Sequence, residues 1–313
     1  MYKSLAIIIG SRPQYIKLAP FLFYLKKTEI SYFTIDTNQH YDNELSKMLI
    51  KELKIDKFSY NLNVKEKYHG KMTGNMMIKI EKILIRKKPK MVVVFGDTNS
   101  TLASSLVAAK LRIPIAHIES GMRGYNNIPE EINRIITDKL STLKFCSTKN
   151  ALENLNKEGL KMNSFFCGDI SRDNFKIYSK KISQNKILDK YNLEKKNYSF
   201  LTIHREDSVN SKNAIISRLN YVNKISKNLV VFPIHPKTKK MIKKYKIQID
   251  KFKKIKVVAP LSYFETLTML KKCDLVFTDS GGIQKDSFFL EKHCIILRSE
   301  TEWTEIIETG LGM

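Results

Sequence analysis

The sequence predicts an α/β protein in which a parallel sheet is built twice. Short apolar runs alternate with helix-periodic segments from one end of the chain to the other, as in successive strand–helix–strand units. The length of 313 residues is that of two domains of ordinary size, each able to bury its own core. Because the alternation occurs in both halves, we expect two domains of one architectural kind.

The first half contains five runs of strand type and five of helical type. The strands are expected at Leu5–Ile9, Tyr32–Thr37, Met91–Phe95, Pro114–Ile118 and Lys144–Cys146. Apolar residues recur at helical spacing between them, at Tyr15–Lys27, Glu44–Leu53, Lys71–Ile85, Ser100–Leu111 and Glu130–Leu140. This order is typical of a parallel sheet.

The second half repeats the pattern. Its strands are expected at Ser199–Ile203, Leu229–Ile234, Ile255–Val258, Leu275–Thr278 and Cys294–Leu297. Its helices are expected at Ser211–Ile225, Thr238–Lys246, Tyr263–Lys271 and Ile283–Leu290. The polar, Lys-rich stretch 171–198 has the weakest pattern, and we place a domain boundary nearby, giving domains 1–168 and 169–313. Two similar sheets facing each other would leave a cleft lined by strand ends, which suits a small ligand.

Composition narrows the class of protein. A hydrophobic share of 42% and a charged share of 27% are those of a globular protein. No run approaches the roughly 18–20 apolar residues of a membrane span, and the first apolar run is too short for a signal peptide, so a cytoplasmic protein is expected. The four cysteines form no CxxC pair, so neither a zinc site nor a disulfide framework is predicted.

The formal net charge of +24 raises the alternative of nucleic-acid binding. The lysines stand mainly on helix faces and ends, and no RNP, KH, zinc-finger or helix-turn-helix pattern accompanies them. A Lys-rich surface is the favoured interpretation, since net charge reports on solubility rather than on a specific partner. We therefore expect no specific nucleic-acid partner, although a positive field also suits an anionic ligand.

Three acids follow strands or begin a helix in the first half. Asp97 comes directly after the strand Met91–Phe95, Glu119 follows the next strand, and Glu130 stands near a helix start. Carboxyl ends of parallel strands share one sheet edge, where open α/β sheets bind ligands. Clustered carboxylates raise one another's pKa, so that one member holds a proton while another accepts one. Helix capping is the alternative for Asp97 and Glu130.

Two turns have the composition of phosphate-binding turns. In the first, Gly10 follows a strand, and Arg12 and Lys17 begin the next helix, where charge and amide dipoles favour a diphosphate. In the second, the segment Asp279–Asp286 follows a buried strand and contains Ser280, Gly281 and Gly282. The alternatives are an ordinary strand–helix turn with two surface cations and a flexible Gly-Gly turn. Asp286 is placed one helical turn on, where it would accept hydrogen bonds from ribose.

Three histidines receive different interpretations. His204 ends a strand beside Arg205, so it is predicted to contact phosphate oxygens or to move a proton. His235, close to two prolines, is predicted to be a structural or binding residue. His117 lies within a buried strand and is expected to be a core residue.

With these motifs, the chain resembles the non-hydrolysing UDP-N-acetylglucosamine 2-epimerase family. The landmarks follow in order across nearly the whole chain: Ser11–Lys17, Asn38–Asp42, His69–Gly70, Thr73–Gly74, Gly96–Thr101, His117–Gly121, Pro129–Arg134, Ile203–Arg205, Pro260–Leu261, Thr278–Gln284 and Glu300–Trp303. The forms of Gln39–Asp42 and Glu300–Trp303 most closely resemble the branch that acts on UDP-2,3-diacetamido-2,3-dideoxyglucuronate. The sugar within the family stays open at this point.

The resemblance implies two Rossmann-like domains in a glycosyltransferase-B arrangement, a homodimer, and a UDP-sugar substrate. It implies inversion at C2 by elimination of UDP to a 2-acetamidoglucal and re-addition, without a redox cofactor or a metal. A C2 proton is a poor acid, so the reaction needs a positioned base and a second proton donor.

The resemblance also assigns residues. The catalytic residues are Asp97, Glu119, Glu130 and His204, with Glu119 and Glu130 as the proton-handling pair. Substrate and UDP contacts are assigned to Arg12, Lys17, Gln39, His40, Arg205, His235, Ser280, Gly281, Gly282 and Asp286.

Three features depart from the family pattern. Asp286 is one methylene shorter than the usual Glu, and Ser120 stands where Ala is usual. The chain ends at Met313 where the family continues, so a truncated second domain is expected. Two alternatives to an epimerase therefore stay open, a glycosyltransferase of the same two-domain shape and a non-catalytic UDP-sugar binder.

Overall fold

The computed structural model describes residues 4–39, 43–124 and 128–313. The chain forms two compact units, Met1–Ile177 and Tyr178–Met313. Segment 169–177 packs with the first unit, where the Asn174 side chain donates a hydrogen bond to the Ile16 carbonyl (2.8 Å). The predicted division into an N-terminal domain 1–168 and a C-terminal domain 169–313 with separate functional roles stays a prediction. The predicted truncation of the second domain stays a prediction as well.

The first unit is a seven-stranded sheet with helices between successive strands. Its strands are β1 (Leu5–Ile9), β2 (Tyr32–Asp36), β3 (Tyr60–Asn61), β4 (Met91–Phe95), β5 (Ile115–Ser120), β6 (Leu143–Cys146) and β7 (Ser164–Phe166). Its helices are α1 (Arg12–Leu25), α2 (Asn43–Glu52), α3 (His69–Lys87), α4 (Asn99–Lys110), α5 (Pro129–Leu140), α6 (Lys149–Lys157) and α7 (Asp173–Ile177), with a 3-10 turn at Ile170–Arg172.

The second unit has a five-stranded sheet. Its strands are β8 (Tyr198–Thr202), β9 (Leu229–Pro233), β10 (Ile255–Val258), β11 (Leu275–Thr278) and β12 (Cys294–Ile296). Its helices are α8 (Ser179–Ser183), α9 (Ile187–Tyr191), α10 (Glu206–Val209), α11 (Lys212–Ile225), α12 (Pro236–Lys244), α13 (Tyr263–Lys272), α14 (Gly281–Phe289) and α15 (Thr304–Glu308), with a 3-10 turn at Ile249–Lys251.

The strand order places a switch point in each sheet. The orders are β3-β2-β1-β4-β5-β6-β7 and β10-β9-β8-β11-β12, and every strand pair is parallel. The chain leaves β1 toward one edge and returns on its other side at β4, and it does the same around β8 and β11. The predicted α/β class with two parallel sheets is therefore confirmed. Ligands in such sheets bind outside the carboxyl ends of the strands at the switch point.

Each unit has its own apolar core. In the first unit, Ile8, Val94 and Ile80 belong to a buried cluster that joins the sheet to α3 and α4. In the second unit, Phe232 and Leu219 belong to a cluster that joins the sheet to α11. Among the described residues, no helix combines the length and the low charge that a bilayer crossing requires.

One buried acid gives the first unit a pH-dependent stability. Asp36 is 2% exposed and accepts hydrogen bonds from the Tyr15 hydroxyl (3.0 Å) and the Asn38 amide (2.9 Å). Burial raises the pKa of Asp36 to about 6, although both hydrogen bonds act in the opposite direction. Between about pH 4 and 6 the folded chain keeps a proton that the unfolded chain has released, so stability falls as the pH rises through this window.

Asp36→Asn should abolish this pH dependence. Relative to the variant, the wild type should lose about 3 kcal/mol of unfolding free energy between pH 4 and pH 7. Urea denaturation of both proteins across this range measures the difference. Glu81→Gln, on the exposed face of α3, is the matched control and should keep the wild-type profile. An Asp36→Asn profile parallel to that of the wild type would contradict the assignment.

Candidate functional site

A buried amide joins the two strands at the switch point of the first sheet. Gln14 accepts a hydrogen bond from the Gly10 amide (2.8 Å), and its Nε2 donates to the Phe95 carbonyl (2.6 Å) and to Thr101 Oγ1 (2.9 Å). The ends of β1 and β4 are therefore held at a set spacing. The sequence interpretation assigned no role to Gln14, although this residue lies within the Ser11–Lys17 motif.

Gln39 lies at the same sheet edge. Its Oε1 accepts hydrogen bonds from the Ser100 amide (3.1 Å) and from Ser100 Oγ (2.9 Å). The Ser100 hydroxyl also lies 2.7 Å from Thr37 Oγ1. His40, predicted as a binding residue, lies outside the described residues. The binding roles of both stay predictions.

Gly10 is required by close packing at this edge. A Cβ at Gly10 would overlap Thr37 Oγ1 and Ser100 Oγ, which hold each other by a hydrogen bond. We expect Gly10→Ala to lower the free energy of unfolding by about 2 kcal/mol. Gly74→Ala on α3 is the matched control, because its Cβ meets no atom within 4 Å, and it should stabilise by up to about 1 kcal/mol. Equal effects in urea denaturation would contradict the packing argument.

Asp97 is held by an arginine and does not cap α4. The N-cap is Thr98, whose side chain accepts from the Thr101 amide, so the capping alternative for Asp97 is wrong. Its carboxylate lies 2.5 Å from Arg134 Nη2, and its carbonyl accepts from Asn133 Nδ2 (2.8 Å). Two residues of the Pro129–Arg134 motif therefore orient the turn after β4.

Glu119 combines an ion pair with a strained backbone. Its carboxylate pairs with the Lys17 ammonium group, and their side chains are 12% and 7% exposed. Its φ is +69°, and the β5–β6 register shifts between Ile118 and Ser120. A non-glycine residue in this region costs about 1–3 kcal/mol and persists only where its surroundings impose it, often at functional sites. The structure thus places Lys17, predicted to contact phosphate, against the predicted catalytic acid.

Glu130 is the least constrained of the three acids. It lies exposed in the first turn of α5, and within the described parts of the chain it has no hydrogen-bond or ion-pair partner. The neighbouring Glu131 instead accepts from the Gly124 amide (2.9 Å) and from Arg134 Nη1 (2.8 Å). This first-turn position also fits the alternative interpretation, in which Glu130 only interacts with the positive end of the helix dipole.

At the switch point of the second sheet, a buried acid shapes the turn after β8. Asp279 is 0% exposed, and one of its oxygens accepts from the amides of His204 and Arg205, both at 2.8 Å. Its other oxygen lies 3.5 Å from His204 Nδ1. The rings of His204 and His235 stack with centroids 5.2 Å apart, and His235 Nδ1 accepts from the Lys237 amide at the start of α12. The sequence interpretation gave Asp279 no separate role.

The Ser-Gly-Gly turn begins α14. Ser280 is the N-cap and accepts from the Ile283 amide. A Cβ at Gly281 would lie 2.7 Å from Glu302 Oε1, so the Glu300–Trp303 motif packs against this turn. Burial raises the pKa of Glu302, but the positive charges of Arg298 and Arg205, together with hydrogen bonds from Arg298 (2.6 Å) and from the backbone, outweigh burial and hold that pKa below its ordinary value.

The remaining predicted residues lie close to these edges. Asp286 is buried within α14. Arg12 begins α1, and Arg205 is the exposed N-cap of α10. A helix N-terminus such as that of α14 offers amide donors and a positive dipole end to an anion. Across the parts of the chain that are described, no group of three or more His, Cys, Asp or Glu side chains is arranged as a metal site.

Fold and site together define a class. Two open parallel sheets each gather polar residues at a switch point, acids with paired cations in one and a Ser-Gly-Gly helix start in the other. These are features of a nucleotide-binding α/β enzyme.

Comparison with known proteins identifies the family. A family model described as UDP-N-acetylglucosamine 2-epimerase matches residues 24–313, and the chain belongs to this family of isomerases. A Methanocaldococcus jannaschii protein named UDP-N-acetylglucosamine 2-epimerase is 40% identical over 99% of this chain and 87% of its own length. A Pseudomonas aeruginosa protein named UDP-2,3-diacetamido-2,3-dideoxy-D-glucuronate 2-epimerase is 36% identical over 98% of this chain and 86% of its own. The predicted resemblance is confirmed.

A solved structure extends the likeness to three dimensions. The crystal structure of the M. jannaschii UDP-GlcNAc 2-epimerase, in complex with UDP-GlcNAc and UDP, matches with a TM-score of 0.90. The match covers 99% of this chain and 88% of that one, at 40% identity.

Proposed function

We propose that this protein inverts C2 of a UDP-N-acetylated sugar by eliminating UDP and adding it back. The proposal rests above all on Glu119, an acid held in a strained conformation at the switch-point edge of the first sheet and paired with Lys17. A carboxylate held in a fixed position at this sheet edge is what abstraction of a weakly acidic C2 proton needs. Family membership gives the reaction its form.

In the proposed reaction, one carboxyl group removes the C2 proton while the bond from C1 to the UDP oxygen breaks. The products of this step are UDP and a 2-acetamidoglucal. A second group then protonates C2 on the opposite face, and UDP attacks C1 again. We assign the proton-handling pair to Glu119 and Glu130. Asp97, held by Arg134, tunes their protonation.

The departing diphosphate needs positive charge and amide donors. We assign these contacts to Arg12, Lys17, His204, Arg205, Ser280, Gly281 and Gly282, with Asp286 at the ribose and His235, Gln39 and His40 as further substrate contacts. The start of α14 and the turn held by Asp279 support the assignments in the second unit. By family resemblance, we also propose a homodimer that works in the cytoplasm.

The test follows both C2 epimers by NMR in D2O. The protein is incubated separately with UDP-N-acetylglucosamine and with UDP-2,3-diacetamido-2,3-dideoxyglucuronate. A new epimer carrying deuterium at C2 supports the proposal, and the sugar that reacts identifies the branch. Absence of deuterium from both sugars contradicts the proposal. Transfer to an acceptor sugar without an epimer would indicate a glycosyltransferase, and calorimetric UDP binding without turnover would indicate a binding protein.

A further inference from the structure

One buried carboxylate holds both flanks of Glu119. Asp138, on α5, is 1% exposed and accepts four hydrogen bonds. Its Oδ1 accepts from His117 Nδ1 (2.7 Å) and Ser120 Oγ, and its Oδ2 accepts from the Gly121 amide (3.1 Å) and Arg123 Nη1 (2.8 Å). All four donors lie within residues 117–123, so this side chain fixes the end of β5 on both sides of position 119.

The His117 ring extends this arrangement to the turn after β4. It is 0% exposed, and its Nε2 lies 2.7 Å from the carbonyl oxygen of Gly96, which precedes Asp97. A carbonyl and a carboxylate are both acceptors, so two hydrogen bonds require a proton on each ring nitrogen. His117, predicted as a core residue, is buried as expected, and its two ring nitrogens in addition join the turns that carry Glu119 and Asp97.

Asp138 is ionised in this environment. Burial raises its pKa, but the hydrogen bonds from His117 and Ser120 and the positive charges of His117 and Arg123 outweigh burial and lower it to about 2. Lys144, on the strand β6 beside β5, adds a further positive charge near Asp138 and donates to the Ser141 carbonyl (3.2 Å). The buried positive and negative charges therefore compensate one another. A buried ion without such compensation would be strongly destabilising.

Such an anchor explains how Glu119 keeps its unfavourable backbone. A positive φ at a non-glycine residue survives only where neighbouring contacts over-determine it. Asp138 holds residue 117 before Glu119 and residues 120 and 121 after it. The remaining freedom of Glu119 is then its side chain, which Lys17 directs.

We propose that the Asp138–His117 ion pair positions Glu119 and Asp97 for the reaction, an inference that rests on the proposed function. Neither residue of the pair is assigned a substrate contact, so both are positioning residues. Their loss should lower kcat while leaving substrate affinity almost unchanged.

Asp138→Asn tests this directly. An asparagine amide has one acceptor oxygen, so in either orientation its NH2 group faces two of the four donors. We expect kcat for C2 inversion to fall about 100-fold, the effect of displacing a reacting group by about 1 Å. KM and the calorimetric UDP affinity should stay within about threefold of the wild type. A folded D138N with kcat within about threefold of the wild type would overturn the inference.

The control variant is Thr137→Val. Thr137 is the adjacent residue on α5, is 0% exposed, and its Oγ1 has no hydrogen-bond partner within the described residues. This isosteric change perturbs the same part of the core without removing a hydrogen bond, so kcat should be unchanged. If D138N does not fold, His117→Gln is the second variant. The amide group of the new glutamine can donate to Asp138 or to the Gly96 carbonyl but not to both, so one of the two links made by the His117 ring is lost. A folded H117Q with wild-type kcat would likewise overturn the inference.

A spectroscopic measurement on the wild type needs no variant kinetics. Proton–nitrogen correlation of histidine-labelled protein at about pH 8, where an exposed imidazole carries one proton, should show both His117 ring nitrogens protonated. Loss of those signals in H117Q assigns them. A ring with one protonated nitrogen would overturn the ion pair. An inactive wild type would overturn the proposed function, whereas an active wild type with a fully active D138N would overturn this inference alone.

Discussion

Glu119→Gln is expected to lower kcat for C2 inversion about 1000-fold. Glutamine keeps the size of the side chain but cannot accept the C2 proton, and general acid–base catalysis contributes roughly 100- to 10,000-fold. It also removes the negative charge that pairs with Lys17. Deuterium exchange at C2 should fall in parallel with epimer formation, since both require the same proton transfer. NMR of the two C2 epimers in D2O measures both quantities.

Glu153→Gln is the control for charge. Glu153 is an exposed acid on α6 of the same unit and should keep wild-type kcat. UDP affinity of the Glu119→Gln protein should also be retained, because the proposed Ser-Gly-Gly contact lies on α14. If Glu119→Gln kept kcat within about tenfold of the wild type, another group would have to be the base.

Asp279→Ala is expected to destabilise the second unit by about 4 kcal/mol and to abolish UDP binding. The change leaves the partly buried amides of His204 and Arg205 without their acceptor, at about 1–3 kcal/mol each, and opens a small cavity where the buried Asp279 side chain lay. The turn that carries His204 then loses its fixed form. Urea denaturation measures the first effect, and calorimetry with UDP measures the second.

Asp279→Asn separates shape from charge. Both amides donate to one oxygen of Asp279, so an asparagine oxygen in the same place keeps both hydrogen bonds. We expect this variant to recover at least half of the stability that alanine loses. It still removes the charge 3.5 Å from His204 Nδ1. Equal destabilisation by Asn and Ala would refute the acceptor role.

The strands that the sequence predicted best are the central ones with continuous apolar runs. The bounds of β1 and β4 agree with the prediction, because strands buried on both faces carry apolar residues at every position. The bounds of β10 also agree, although β10 is an edge strand with Lys256 and Val257 exposed. Strand β7 was missed, since it is three residues long at the sheet edge with Phe165 and Phe166 exposed. Helix α6 was missed because its buried residues are only Ala151 and Leu155.

Part of the candidate site could be predicted from the sequence, because apolar runs also show where the strands end. Asp97 and Glu119 follow buried strands, and parallel topology brings the ends of those strands to one edge. Asp138 and Asp279 were not predicted as anchors, because each lies where an ordinary helical or turn acid would also be found. Their importance comes from hydrogen bonds to residues distant in sequence, and a local pattern carries no record of them.

Periodicity and turn composition by themselves determined that this chain forms two parallel α/β sheets and that acids and Gly-rich turns stand at strand ends. Both properties are local, since burial of a strand or a helix face is written in neighbouring residues. Only the tertiary structure decided the partners: Lys17 with Glu119, Arg134 with Asp97, and His117 with Asp138. Ion pairs and buried hydrogen bonds depend on distances of a few ångströms between separate elements, and only the folded chain sets those distances.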